Sequence, residues 1–328
     1  MTIRDGKSQG SPWRKRTALV FLLLALCALP LLARDVYIVH ILNMVGIFCL
    51  LSIGLNLVLG YCGQFSVGQA GFYAIGAYAS ALLSTKFGLS FWLCLPLSGM
   101  AGALAGLVVG PVLRLRGIFL GMSTLAFGEI VRLIINNWMP VTNGPNGISN
   151  IPPPAIASFE FSSDLRFYYL ILVAVVVNYW VAHRMVGSRF GRAIKAIRDD
   201  QEAAEISGVW AARYKVLTWI MASFFAGVAG SLTAHLNGYI SPDEFTFWTS
   251  VNVIFMLIIG GMGTLPGAIL GSAAIVTLPE VLRAFERYRM LIYPVVVLII
   301  LIFAPKGIYG LYLQAKRWVG LKLVSARS

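Results

Sequence analysis

The sequence predicts an all-α fold, a polytopic transmembrane bundle of about eight to ten spans with one large cytoplasmic loop. Hydrophobic residues make up 58% of the 328 residues and charged residues only 12%, with a mean hydropathy of +0.80. A soluble core of this size cannot bury so much apolar surface. The apolar residues also form runs long enough to cross a bilayer, separated by polar segments.

Ten apolar runs account for the predicted spans. The first, residues 17–33, follows a basic flank and is interpreted as a retained span because further apolar runs follow it directly. The transmembrane domain is therefore expected at residues 17–304, between a cytoplasmic tail at 1–16 and a basic cytoplasmic tail at 305–328. The later runs lie at about residues 36–59, 60–83, 91–113, 117–138, 167–182, 216–235, 245–263, 264–279 and 290–304.

The positions of Lys and Arg predict the orientation. With ten spans and both termini in the cytoplasm, most of the 26 Lys and Arg residues lie on the inner side, which is the positive-inside pattern. The net charge of +13 then needs no nucleic acid, because basic loops meet anionic lipid. Ten spans place the basic cluster at residues 283–289 on the outer side, against this pattern. Eight or nine spans with one re-entrant element are therefore an alternative. The outer side holds Arg34, Lys86, Arg166, Arg283, Arg287 and Arg289.

The main polar stretch is residues 184–215, called the 184–215 loop below. Its spacing predicts two short amphipathic helices. Asp199 or Asp200 is expected to cap the second helix, with Glu202 in its first turn and Gly208 at its end. Composition alone favours a solvated loop whose charges set the topology. The residues expected on one apolar side are Ala193, Ile194, Ile197, Ala204 and Ile206.

Five residues are candidates for a translocation path. Gln64, Ser66 and Gln69 lie on glycine-broken backbone, which at membrane depth is found only beside protein or a water-filled cavity. A turn followed by a packing helix fits them equally well. Glu129 and Arg132 share one helical face, and a lone charge at the bilayer centre costs roughly 2.5–3.5 kcal/mol, so the two are expected to pair.

No enzymatic chemistry is predicted on this chain. The three histidines are far apart, and the sequence contains no G-x-S-x-G, H-E-x-x-H or C-x-x-C pattern. The four cysteines are interpreted as packing residues, so no metal site or disulfide is expected. The phosphate-binding pattern G-x-x-x-x-G-K-[ST] is also missing, so any ATP-driven work requires a partner chain.

Four ordered blocks resemble the LivM-type permeases of branched-chain amino acid ABC importers. The resemblance covers about residues 55–271, and four blocks in order are far more specific than one glycine motif. The blocks are GYCGQFSVGQAGFYAIGAYASALL, then RGIFLGMSTLAFGEIVRLIINNW with TNGPNGI, then GRAIKAIRDDQEAAEISGV with RYK, and finally GYISPDEFTF with MLIIGGMGTLPGAILG.

The resemblance implies a multi-pass permease of the bacterial inner membrane that is not an enzyme. It implies two ABC ATPase subunits that carry ATP and Mg²⁺, a LivH-type permease and a periplasmic substrate-binding protein as partners, with no cofactor on this chain. It also implies that the 184–215 loop docks on an ATPase. The docking residues it assigns are Gly191, Arg192, Ala193, Ile194, Ile197, Ala203, Ala204 and Gly208.

The resemblance implies leucine, isoleucine and valine as substrates, and the TNGPNGI segment favours this branch. Urea, short amides and other small organic solutes are alternatives within the same family. An ion-coupled secondary transporter is a separate alternative. It would need buried acids around an ion site, whereas Glu129 is the only clear acid within a span and has Arg132 beside it.

Overall fold

The computed structural model describes residues 35–156 and 159–282. It also describes isolated positions at either end, namely 27, 29, 30, 295, 298, 307–311, 313 and 314. Most of the first and last predicted spans, the whole predicted N-terminal tail, most of the predicted C-terminal tail and the basic cluster at 283–289 therefore lie outside the described residues.

In the described part of the chain nearly all regular structure is helical, as predicted. Two-residue strands, β1 (Ala155–Ile156) and β2 (Phe159–Glu160), form one small antiparallel pair. The helices are α1 (Val36–Leu55), α2 (Gln69–Thr85), α3 (Phe91–Val108), α4 (Ile118–Asn137), α5 (Met139–Thr142), α6 (Asp164–Gly187), α7 (Arg189–Asp199), α8 (Gln201–Ile206), α9 (Ala211–Asn237), α10 (Phe247–Gly260) and α11 (Leu265–Val281).

Each of the eight central runs predicted as a span overlaps largely with one of these helices. Six helical segments of the described chain are long and apolar enough to cross a membrane. They contain α1, α3, α4, α6, α9 and α10. Helices α2 and α11, of 17 residues each, occupy the two glycine-rich runs. The polytopic helical bundle is therefore confirmed.

Helix α9 lies at the centre of the bundle, where it packs along both α2 and α3. Small residues allow this packing, because a Cβ atom at Gly76 would overlap the backbone of Gly227, and one at Gly102 would overlap the carbonyl oxygen of Ser223. Contacts this close leave no room for a side chain, as is typical of membrane helices. Gly102 and Gly106 of α3 therefore pack on α9.

Two breaks in the helices lie side by side inside the bundle. Helix α1 continues into a π-helical turn, Asn56–Tyr61, and residues 62–68 then lead to α2 without regular secondary structure. The second break is the turn between α10 and α11, where Gly261 and Gly263 have positive φ angles. A Cβ atom at Gly60 would lie 2.5 Å from the backbone nitrogen of Gly263, so only glycine allows the breaks to touch.

The segment between α5 and α6 is more ordered than its turn-rich sequence predicts. Ile148 and Ile240 exchange two backbone hydrogen bonds of 3.0 Å, which tie this segment to the α9–α10 connection. The Nδ1 atom of His235 lies within hydrogen-bond distance of the carbonyl oxygen of Pro152, at 2.7 Å. Isolated pairings of this kind carry no periodic signal and are not visible in the sequence.

Candidate functional site

The 184–215 loop contains the two helices predicted for it. The Ser188 hydroxyl caps α7 by accepting a hydrogen bond of 3.1 Å from the backbone nitrogen of Phe190. Asp200 rather than Asp199 caps α8, because its Oδ1 atom accepts hydrogen bonds of 2.9 and 3.1 Å from the first turn. Gly208 follows α8 with a φ angle of +84°, the left-handed conformation that ends a helix.

The residues assigned to docking divide into a buried and an exposed group. The buried group faces the transmembrane helices and consists of Gly191, Ala193, Ile194, Ile197 and Ala204. The exposed group faces away from them and consists of Arg192, Ala203 and Gly208. Ile197 and Ala204 share an apolar cluster with Ala211 at the start of α9. The buried group therefore attaches the loop to its own chain.

One part of the predicted apolar side is wrong. Ile206 was expected to join Ile197 and Ala204, yet its side chain is 89% exposed. The reason is the extended backbone of Asp200, with φ −157° and ψ 110°, which ends α7 and starts α8 in a new direction. A single helical period therefore does not run through both helices. Trp210, which the sequence reasoning missed, is 71% exposed on the same loop.

Arg198 connects the loop to the break after α1. Its Nη1 atom donates a hydrogen bond of 3.1 Å to the carbonyl oxygen of Gly60, in the π-helical turn. The same guanidinium binds the neighbouring Asp199 carboxylate at 2.9 Å. Lys195 lies above the Tyr61 ring, 5.5 Å from its centre. Helix α7 therefore contacts the π-helical turn that follows α1.

Asn56 joins the two breaks to each other. Its Nδ2 atom donates to the carbonyl oxygen of Thr264, and its Oδ1 atom accepts from the backbone nitrogen of Gly263, both at 2.9 Å. The side chain is completely buried. A buried amide within an apolar run has to satisfy its hydrogen bonds inside the protein, and this was the signal that the sequence reasoning missed.

Gln64, Ser66 and Gln69, predicted to lie on a path, are brought together around the irregular 62–68 segment that precedes α2, and all three are buried in this chain. The Trp219 indole donates a hydrogen bond of 2.8 Å to Gln64 Oε1. Gln64 Nε2 is buried and has no hydrogen-bond partner among the described residues. Ser66 Oγ accepts a bond of 3.4 Å from the Gly68 backbone. Nothing in these contacts tests a role in transport, so that role stays a prediction.

Two other helices support the same segment. The Thr124 hydroxyl of α4 accepts a hydrogen bond of 3.0 Å from the backbone nitrogen of Val67. The Ser250 hydroxyl of α10 accepts one of 2.9 Å from Ala70, in the first turn of α2. With the Arg198 contact and the close approach of Gly60 to Gly263, all four blocks that carry the family resemblance meet around residues 56–70.

Glu129 and Arg132 form the expected pair, with 2.9 Å between Glu129 Oε2 and Arg132 Nε. Both side chains are about a third exposed. Glu129 also lines a narrow cleft with Val67 and Ser250, which places the pair beside the 62–68 segment. Within the described ranges, no three His, Cys, Asp or Glu side chains are grouped in a way that could hold a metal ion.

Together, a bundle of apolar helices, paired helix breaks in its interior and a polar loop that rests on one break define a polytopic membrane transport subunit. The family model described as "Branched-chain amino acid transport system / permease component" matches residues 37–305. The chain belongs to this family. It is therefore a membrane permease and not an enzyme, and as one component of a transport system it works with partner subunits.

Relatives of known name agree with this assignment. The high-affinity branched-chain amino acid transport system permease protein LivM of Salmonella typhimurium is 38% identical over 323 residues, covering 91% of this chain and 76% of the relative. LivM of Escherichia coli K12 is 38% identical over 324 residues with the same coverage. LivH of Escherichia coli K12 is 22% identical over 293 residues, covering 80% of this chain and 91% of the relative. No solved structure matches the chain.

Proposed function

We propose that the protein is the translocation subunit of an ATP-driven importer for leucine, isoleucine and valine. It takes these amino acids from a periplasmic binding protein in the bacterial inner membrane and forms the pathway with a LivH-type permease. Two ABC ATPase subunits bind ATP and Mg²⁺ and drive transport through the 184–215 loop. The observation that supports this docking is the exposure of Ile206 and Trp210 on an otherwise polar loop.

These two side chains have the properties of interface anchors. Burying an aliphatic side chain such as that of Ile206 contributes about 1.5–3 kcal/mol, and tryptophan is enriched among the residues that dominate binding energies. Glu202 and Glu205 are exposed on the same loop and provide polar groups for the rim of such an interface. Ile194 and Ile197 do not contact the ATPase in this proposal. They support the docking surface because they hold the loop against the transmembrane helices.

Single substitutions test the docking surface. We expect Ile206→Ala and Trp210→Ala each to weaken ATPase binding at least tenfold, because 1.4 kcal/mol corresponds to a factor of ten. The measurement is ATPase binding to the purified permease, with membrane insertion checked for each variant. Ile206→Leu keeps the apolar area and serves as the control. Wild-type affinity in both alanine variants would rule out this surface.

The substrate proposal is supported by the lack of an unpaired charge among the five candidate path residues. In the described ranges, Glu129 and Arg132 bind each other, and Gln64, Ser66 and Gln69 are uncharged. Such groups do not hold an amino acid's ammonium and carboxylate tightly, which suits a permease that receives solute already selected by a binding protein. The free Gln64 Nε2 donor offers a transient contact in an opened pathway.

Titration of the cognate periplasmic protein with leucine, isoleucine, valine, urea and short amides tests the substrate. We expect tight binding of the three branched amino acids only. Tight binding of urea with no response to leucine would reassign the substrate and leave the importer class intact. Uptake into vesicles is expected to need ATP, whereas uptake driven by an ion gradient alone would favour a secondary transporter.

The proposed orientation places both termini and the 184–215 loop in the cytoplasm. A cysteine at exposed Ala203, in a variant without the four native cysteines, tests this arrangement. We expect an impermeant thiol reagent to label it in inside-out vesicles but not in right-side-out vesicles. The reverse pattern would invert the topology and exclude docking of a cytoplasmic ATPase.

A further inference from the structure

A cationic cavity of about 500 Å³ lies between the end of α3, helix α8 and the start of α9. Three basic side chains line it, those of Arg114, Arg116 and Lys215, against one carboxylate, that of Glu205. The excess of two positive charges makes an anion the expected occupant. None of these residues belongs to the helix breaks or to the exposed pair that we assign to ATPase docking.

Lys215 is the most unusual group in this cavity. The residue is only 8% exposed, and its Nζ atom donates a hydrogen bond of 2.8 Å to the neutral Gln201 Oε1. The Glu205 carboxylate instead accepts from Gln201 Nε2, also at 2.8 Å. No carboxylate of the described chain lies within 4.0 Å of the Lys215 ammonium. A buried ammonium without a counter-charge is costly, and a bound anion would offset that cost.

The two arginines of the cavity are a second reason to expect a bound anion. Within the same described ranges, Arg114 likewise has no carboxylate within 4.0 Å. Arg116 contacts Glu202 at 3.7 Å, with both side chains largely exposed, so the pair is weak. Planar guanidinium groups bind phosphate oxygens in a bidentate manner. Two arginines and a lysine around one cavity match a phosphate better than a single carboxylate.

We propose that this cavity binds a phosphate group. The phosphate belongs either to an anionic phospholipid or to a soluble anion. The apolar side chains of Leu107 and Val216 on the cavity wall suit an acyl chain. Basic pockets between membrane helices bind lipid head groups in this way on the cytoplasmic side. The statement that the cavity faces the cytoplasm rests on the proposed function. Phosphate binding itself requires neither that orientation nor the ATPase.

Phosphate binding would also affect the loop. Gln201 bridges Lys215 on α9 and Glu205 on α8, so an anion on Lys215 adds a contact at the joint between the two helices. Ile206 directly follows Glu205, at the end of α8. Occupancy of the cavity therefore stabilises α8, the helix that presents Ile206.

The test uses the purified full chain, delipidated in a neutral detergent. One arm measures the unfolding temperature with added inorganic phosphate, and the other counts phosphatidylglycerol molecules retained in native mass spectrometry, with phosphatidylcholine as the neutral comparison. We expect Arg114→Gln and Lys215→Gln each to weaken binding about fivefold, the effect of one charge near an anionic surface. Arg189→Gln, an exposed arginine outside the cavity, is the control and should bind normally.

A response to phosphatidylglycerol alone identifies the lipid as the source, and a response to inorganic phosphate identifies a soluble anion. Either result supports the site when the two cavity variants differ from Arg189→Gln. Equal weakening in all three variants would indicate general charge attraction and would overturn the proposal, as would no response in either arm. If Lys215→Gln does not fold, the exposed Arg114→Gln decides alone.

Discussion

The contact between Arg198 and Gly60 predicts how the loop acts on the interior of the permease. Arg198→Ala removes the hydrogen bond from the guanidinium to the Gly60 carbonyl oxygen, 3.1 Å long. Hydrogen bonds to charged groups contribute about 1.5–3 kcal/mol. The Arg198 side chain is 39% exposed and also binds Asp199, so solvent screening reduces the expected value to about 1 kcal/mol. A coupling energy of that size corresponds to about a fivefold effect.

The assay is the number of leucine molecules imported per ATP hydrolysed by the reconstituted transporter. We expect Arg198→Ala to lower this ratio about fivefold and to leave ATPase binding unchanged, because the exposed side chains of Ile206 and Trp210 remain in place. Arg198→Lys keeps a cationic donor near the carbonyl and should restore much of the ratio. Arg189→Ala removes an exposed arginine from the other end of α7 and serves as the matched control.

An unchanged ratio in Arg198→Ala would refute the mechanical role of this contact. A loss of ATPase binding that accounts for the whole loss of transport would do the same, because Arg198 would then act only on docking. The Arg198→Lys variant separates loss of the hydrogen bond from loss of fold, since a general packing defect would not be rescued by another cation.

Two further predictions concern burial. Ala204→Glu places an unpaired carboxylate in the apolar cluster that attaches the loop, so we expect this variant to make the loop sensitive to limited proteolysis. Ala203→Glu lies on the exposed side and should weaken only ATPase binding. Equal protease resistance of the two variants would argue against the assigned faces. Gly102→Ala should destabilise the bundle by about 1–3 kcal/mol in denaturation measurements, because a methyl group there meets backbone. Gly110→Ala is the control, since its nearest neighbour atom is 3.7 Å away, and equal stability of the two variants would contradict close packing.

Features controlled by neighbours in the sequence could be predicted from the sequence alone. The helical runs, the two loop helices, the pairing of Glu129 with Arg132 and the end of α8 at Gly208 follow from spacing, charge and capping preferences. The orientation of Ile206 could not be predicted, because it depends on the extended backbone at Asp200 rather than on a helical period. One residue with non-helical dihedral angles was enough to turn the Ile206 side chain from the expected buried side to the exposed side.

The contacts at the helix breaks were beyond prediction for a different reason. Arg198 and Gly60 are 138 positions apart, and Asn56 and Gly263 are 207 apart. Periodicity says nothing about such distant pairs. The sequence does show an asparagine within an apolar run and an arginine at the end of an amphipathic helix, and both demand partners. It does not show which partners they find.

The arrangement of these contacts explains where movement of the loop would be absorbed. The Asn56–Tyr61 turn and the Gly261–Thr264 turn interrupt regular helical hydrogen bonding, and π-helical turns are frequent at functional sites. The helices around them are held by glycine contacts too close to slide freely, as at Gly76 and Gly227. A displacement of α7 would therefore act on the backbone at Gly60 through the Arg198 hydrogen bond. Because Asn56 binds the second turn, both breaks would respond together, next to the buried Gln64 and Ser66.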